Sequence, residues 1–159
     1  MGRRCAMGVN VTDASDQQFK VMLVEDDPGD AGLVKAAFAG SRFTCIIEHI
    51  PDGVEAMKRL RALAKEGASS LPDLILLDLN MPRKSGHEVL AEMKADADLK
   101  DLPVVVLTTS DAERDVAAAY HSGASGFVTK PVDVDALFEA IQGILEYWFG
   151  LMRLPANRP

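Results

Sequence analysis

Acidic side chains stand directly behind two short runs of branched apolar residues: Val21 to Val24 is followed by Glu25, Asp26 and Asp27, and Leu74 to Leu77 is followed by Asp78. If the two runs are neighbouring strands, four carboxylates converge on one end of a sheet. Like charges held that closely are costly unless one is protonated or a cation is bound. Oxygen ligands without His or Cys beside them favour a magnesium-type ion, held by a few carboxylates and waters and completed by a phosphate. A third run, Val104 to Leu107, ends in Thr108 and Thr109, and a fourth, Gly126 to Thr129, delivers Lys130. An acidic pair for a metal, one further Asp as nucleophile, a hydroxyl, and a cation to balance an added charge form a device for placing phosphate on Asp78.

Such a device needs a scaffold that lines up strand ends. Apolar runs at Lys20 to Val24, Phe43 to His49, Asp73 to Asp78, Pro103 to Thr108 and Ser125 to Thr129 recur roughly every 22 to 30 residues, the room a strand, a loop and a helix require. Between them the apolar spacing turns helical: Leu33, Val34, Ala37 and Phe38; Val54, Met57, Leu60 and Leu63; Val89, Leu90 and Met93; Val116, Ala119 and Tyr120. Pro28 suits a first helical turn, Gly40 and Gly67 suit helix ends, and Ser85, Asp111 and Asp133 suit N-caps. Alternating strands and helices predict an α/β fold, a parallel sheet covered on both faces by helices, with ligands at the carboxyl ends of the strands. The mixed run at Phe43 to His49 is expected at an edge, and the runs around Met22 and Leu76 in the centre.

The 159 residues have room for about one domain. With 48% hydrophobic and 26% charged residues the chain can build a core, and its net charge of −7 argues against nucleic acid or anionic lipid as a partner. Residues 1–18 lack any helical or strand period and are expected to form a flexible leader, with the domain spanning 19–159. No run is long and apolar enough for a membrane helix, and Cys5 and Cys45 are expected as free thiols in a cytoplasmic protein. His49, His87 and His121 share no ligand spacing, Ser110 has no histidine partner in sequence, and the chain contains no GxSxG elbow. An aspartyl-phosphate hydrolase would resemble DxD, whereas position 80 is Asn.

The segments LVEDDP, LLDLNMPRKSG, PVVVLTTS and GASGFVTKP, in that order, resemble those of CheY-like response-regulator receiver domains from about Phe19 to Glu146. That resemblance implies a doubly wound five-stranded parallel sheet in flavodoxin-like order 2-1-3-4-5, with Glu25 and Asp26 as the acidic pair, Asp78 as the phosphoacceptor, Thr108 as the switch hydroxyl and Lys130 as the phosphate-binding lysine. Asn80 falls where the family completes its Mg²⁺ shell with a backbone carbonyl, and Lys130-Pro131 where it has a cis peptide. Phe127 stands where many receivers have the switch Tyr, and Thr109 where Ala or Ser is usual. The resemblance further implies a sensor histidine kinase as donor and an acceptor that is not a classical enzyme. A phosphorylation-independent dimeric scaffold is the alternative, and a DNA-binding output is disfavoured because 13 residues follow Glu146.

The last helix is expected to begin after Asp133 and to run long. Val134, Leu137, Phe138, Ile141, Ile144, Leu145, Trp148, Phe149, Leu151 and Met152 continue one apolar stripe for about five turns. A stripe that outlasts its own sheet suggests an interface, with a two-fold homodimer the commonest solution. Ile144, Tyr147, Trp148, Phe149, Leu151 and Met152 are the expected contact residues, and the segment from 147 a short tail. This extension, the long loop around Lys65 to Leu71 and the VEDDPGD opening are similar to stand-alone regulators that partner bacterial phytochrome kinases, though kinases of other input fit equally.

Overall fold

The computed structural model describes residues 3–4, 10–11 and 18–151. Its sheet consists of β1 (Gln18–Val24), β2 (Thr44–Ile50), β3 (Leu74–Leu77), β4 (Val104–Thr108) and β5 (Gly126–Thr129). All neighbours are parallel, as the alternation of elements predicts, and the spatial order is β2-β1-β3-β4-β5, as the resemblance implies. Helices α1 (Pro28–Ala39), α2 (Gly53–Glu66), α3 (Gly86–Ala95), α4 (Glu113–His121) and α5 (Val134–Leu145) connect and follow the strands.

Side chains alternate across the sheet with period two. Val21 and Leu23 of β1 join Leu74 and Leu76 of β3 in a core closed by Val34 and Phe38 of α1 and Leu137 and Ile141 of α5. Met22 and Val24 join Ile75 and Leu77 in the opposite core, closed by Met57 and Leu60 of α2, Leu90 and Met93 of α3, and Ala119 of α4. Every residue of β3 is buried, whereas β2 is the expected edge and leaves Ile46 half exposed.

The local signals are met with one exception. Pro28 opens α1, Asp52, Ser85 and Asp133 cap α2, α3 and α5 through their side chains, and Gly67 ends α2 at φ 129°. Asp111 does not cap α4, because that helix begins later and Ala112 holds the cap position with no side-chain bond. Near the N-terminus, Arg3–Arg4 and Asn10–Val11 form a two-residue antiparallel ladder within the segment expected to lack strands. Two backbone pairs are too few to leave an alternating apolar signature. The rest of the expected leader, with Cys5, and Met152 lie outside the described residues. Cys45 is a free thiol that burial, with Asp73 adding, pushes up to about 11.

The C-terminal stripe departs from a continuous α-helix. After Leu145 the chain winds as a π-helix over Glu146–Leu151. A π turn takes in extra residues and so re-aims every later side chain. Phe149 thereby turns inward, stacked on Phe19 at 4.0 Å between ring centroids and edge-on to Phe43 at 6.0 Å. Arg42 fastens the turn from outside with two bonds to Glu146, at 2.7 and 2.9 Å. Ile144 and Phe149 are only 8% and 7% exposed, which corrects their expected place on an intermolecular face. Tyr147 at 48% and Leu151 at 80% remain outside, with Trp148 partly covered.

Candidate functional site

Parallel ladders set the position of each candidate residue by continuing one step past the strands. Glu25 donates its N–H to Ile50 O at 3.1 Å, Asp78 to Val24 O at 3.0 Å and Lys130 to Thr108 O at 2.7 Å. Backbone pairing between neighbours therefore brings Glu25, Asp78 and Lys130, more than fifty residues apart in sequence, to one end of the sheet. One carboxylate oxygen from each of Glu25, Asp26 and Asp78 lies within 4.8 Å of the others. Three hard oxygen donors at that spacing suit a hard divalent cation. Asp26 is exposed and gives the cluster access to solvent, while Glu25 and Asp78 are buried.

Lys130, nearly as buried, donates to Glu25 and to Asp30, the latter at 3.2 Å. Burial pushes the Glu25 carboxyl up to about 7 against the lowering effects of Lys130 and the Asp27 N–H, and Asp78 adds to the rise. Burial works to lower the Lys130 ammonium, but Glu25, Asp78 and Asp30 outweigh it and hold it above its ordinary value. The lysine is thus a protonated cation inside an acidic cluster. Its partner Asp30 was not among the residues singled out from the sequence. The signal was the last acidic residue of VEDDPGD, in the first turn of α1, but only the fold brings Lys130 within reach. His49, likewise set aside, places Nε2 2.7 Å from the Glu25 carbonyl oxygen. The Asp27 side chain stands outside the cluster and caps α1, accepting from Gly29 and Asp30 N–H.

The loop after Asp78 packs behind its carboxylate. Asn80 donates its backbone N–H to Asp78 Oδ1 at 3.4 Å, with its side chain exposed. Gly86 opens α3 against this loop and donates to Leu79 O at 3.0 Å. A Cβ at Gly86 would stand 2.4 Å from Asp78 O and 2.7 Å from Leu79 Cα, contacts that backbone cannot yield cheaply. Arg83, in the same loop, adopts φ 66° and its guanidinium pairs with Asp52.

Thr108 is fully buried at the end of β4, and its hydroxyl accepts from Ser110 N–H at 3.5 Å. Thr109 is exposed beside a small pocket of about 180 Å³ that also touches Asp30, Lys130 and Val132. Phe127 is half buried on β5, packed against the α2–α3–α4 core. The Lys130-Pro131 bond is trans, correcting the cis expectation. Trans is the cheaper isomer by about 0.5–1 kcal/mol, and Lys130 reaches its carboxylates without the cis form. One end of one sheet therefore holds a cation-suited carboxylate triad, a hydroxyl and an ammonium.

The profile of the response regulator receiver domain matches residues 21–142. The chain belongs to that family. Response regulator Rcp1 of Synechocystis sp. is 41% identical over 146 residues, covering 92% of this chain and 99% of Rcp1. The crystal structure of the Mn²⁺-bound form of Rcp1 superposes with a TM-score of 0.79 over 87% of this chain and 99% of its own. The phosphorylated cyanobacterial phytochrome response regulator RcpA superposes with a TM-score of 0.81 at 42% identity, over 88% of this chain and all of that one. The probable methanogenesis regulatory protein FilR2 of Methanothrix harundinacea is 40% identical, covering 92% of this chain and 93% of FilR2. The receiver is therefore related to stand-alone phytochrome response regulators and, at nearly equal identity, to a regulator of different context. Among the described residues no helix is long and apolar enough to cross a membrane.

Proposed function

We propose that this receiver accepts a phosphoryl group on Asp78 from the phosphohistidine of a sensor histidine kinase, and acts as a stoichiometric acceptor in the cytoplasm without a turnover activity of its own. The observation that carries this reading is the clustering of Asp78 with Glu25 and Asp26 beside the Lys130 ammonium. In the transfer an Asp78 carboxylate oxygen forms the new bond to phosphorus, the phosphorus–nitrogen bond breaks, and its electron pair leaves with the imidazole. Glu25, Asp26, Asp78 and the backbone carbonyl of Asn80 would hold Mg²⁺, which when bound supplies positive charge between the carboxylates and the phosphoryl oxygens. Asp78 is oriented by the Asn80 N–H, and the exposed side of the cluster at Asp26 admits the donor.

The acyl phosphate adds roughly −1.5 to −2 of charge by analogy with other phosphorylated side chains. Lys130 meets that charge by giving up a carboxylate partner, and Thr108 by turning its hydroxyl from Ser110 to a phosphoryl oxygen. The loop after β4 follows Thr108, and Phe127 moves into the space vacated, which converts a local charge into a changed surface. Phe127 has no hydroxyl to report its position by hydrogen bonding, so a partner reads shape alone. Thr109 and Asn80 flank the phosphoryl position and control the approach of water.

Kinship with RcpA supports a bacterial phytochrome as the kinase, and kinship with FilR2 supports kinases of other input. The π-helical turn presents Tyr147, Trp148 and Leu151 as a small apolar face suited to a two-fold homodimer. Trp148→Ala should weaken self-association by about tenfold or more, and sedimentation velocity showing an unchanged dimer would remove this face. Asp26→Asn should weaken Mg²⁺ binding by at least about tenfold, and a calorimetric titration with unchanged affinity would remove Asp26 from the metal shell.

Intact mass after incubation with acetyl phosphate tests the central reading. The chain should gain about 80 Da in Mg²⁺ and nothing in excess EDTA. No gain under either condition would leave a scaffold that works without phosphorylation.

A further inference from the structure

The proposed chemistry leaves unused a chain of three side chains that joins separate elements. Ser110, in the loop after Thr108, donates its hydroxyl to Asp115 Oδ2. Asp115, in the first turn of α4, presents its other oxygen to His87 Nε2 at 3.3 Å. His87 lies in the first turn of α3, next to the Gly86 that seats the acceptor loop. The same Ser110 donates its backbone N–H to Thr108 Oγ1.

The protonation pattern is constrained. The Ser110 hydroxyl and then His87 hold the Asp115 carboxyl below its ordinary range, so it is an ionised acceptor of both bonds. Among the described residues His87 Nδ1 is buried with no partner. The ring nitrogen that serves the chain is therefore Nε2, whose N–H is aimed at Asp115. A histidine on α3 and a serine on the switch loop are thereby tied through one carboxylate.

We propose that His87 and Asp115 are positioning residues for Thr108: the His87–Asp115–Ser110 chain fastens the loop after β4 to α3 and keeps the Thr108 hydroxyl engaged with Ser110. This proposal rests on reading Thr108 as the hydroxyl that must turn toward a phosphoryl group on Asp78. A contact made in one conformation and lost in the other shifts their balance by its own free energy. The latch favours the conformation described here and opposes movement of the loop. It also ties the start of α3, which follows the acceptor loop, to the segment that responds to the acceptor.

The test uses the full chain with Ser110→Ala, Asp115→Ala, His87→Ala, the pair His87→Ala with Ser110→Ala, and His87→Gln, whose amide nitrogen can replace Nε2–H as donor. Labelling by acetyl phosphate in Mg²⁺ is followed by intact mass, and amide hydrogen exchange at Thr109 and Ser110 by NMR without phosphodonor. Each Ala variant should label roughly three- to tenfold faster and exchange faster at both amides. The pair should do no more than the larger single change, and His87→Gln should restore native behaviour. Unchanged or slower labelling in Ser110→Ala, additive effects in the pair, or failure of His87→Gln to restore would overturn the latch. If the native chain takes no phosphoryl group, the acceptor reading fails separately and exchange alone decides. Faster exchange in the Ala variants with restoration by Gln upholds the latch, and unchanged exchange overturns it.

Discussion

Asp78→Asn should take up no phosphoryl group from acetyl phosphate, at a Mg²⁺ concentration where the native chain gains about 80 Da. An amide is close to a carboxylate in shape and keeps a carbonyl oxygen to accept the Asn80 N–H, so the loop should hold its course. The amide cannot supply the anionic oxygen that attacks phosphorus, and transfer should fall by at least about a thousandfold. The same change removes one of three crowded carboxylates. Asp78 is among the causes that raise the Glu25 carboxyl, so the variant's cluster is easier to ionise. Its thermal unfolding in EDTA should therefore equal or exceed that of the native chain. An adduct of undiminished rate in this variant would mean that another side chain accepts the group.

The second large effect concerns stability. Phe149→Ala should destabilise the fold by about 3–5 kcal/mol, the range for truncating a buried Phe. At about 2–4 °C per kcal/mol for a chain of this size, the midpoint of thermal unfolding should drop by about 10 °C. Leu151→Ala, two residues further on and 80% exposed, should stay within about 0.5 kcal/mol of native. The contrast separates the two faces of the π-helical turn by measurement. Equal effects from both substitutions would mean that the turn is not packed on Phe19 and Phe43.

What the sequence carried and what it hid follow the range of the interactions. Each strand is a local apolar run, and in a parallel sheet its last residue has to lie at the site end, so Glu25, Asp26, Asp78, Thr108 and Lys130 were legible from position within short segments. Asp30 was not, because its meaning depends on Lys130, 100 residues later in the chain, which meets it only when the sheet and α1 are assembled. His87, Asp115 and Ser110 come from α3, α4 and the loop between β4 and α4, and no local pattern joins them. The inward turn of Phe149 was hidden for a different reason. At 3.6 residues per turn Trp148 and Leu151 fall in line with Leu137, Ile141 and Ile144, and Phe149 stands about 100° round from Trp148, at the edge of that stripe. The wider π turn breaks that count after Leu145, and the aromatic partners waiting at Phe19 and Phe43 lie more than a hundred residues earlier.

Gly86 bears no chemistry, yet it restricts which sequences can keep Asp78 in place. The gap that a methyl group would fill is occupied by the carbonyl of Asp78 itself. Any larger residue there moves the backbone that carries the carboxylate, whereas the Asn80 and Thr109 side chains are exposed on the open side. Evolutionary or laboratory tuning of the site is therefore channelled to its solvent side, and the wall behind Asp78 has to stay as it is.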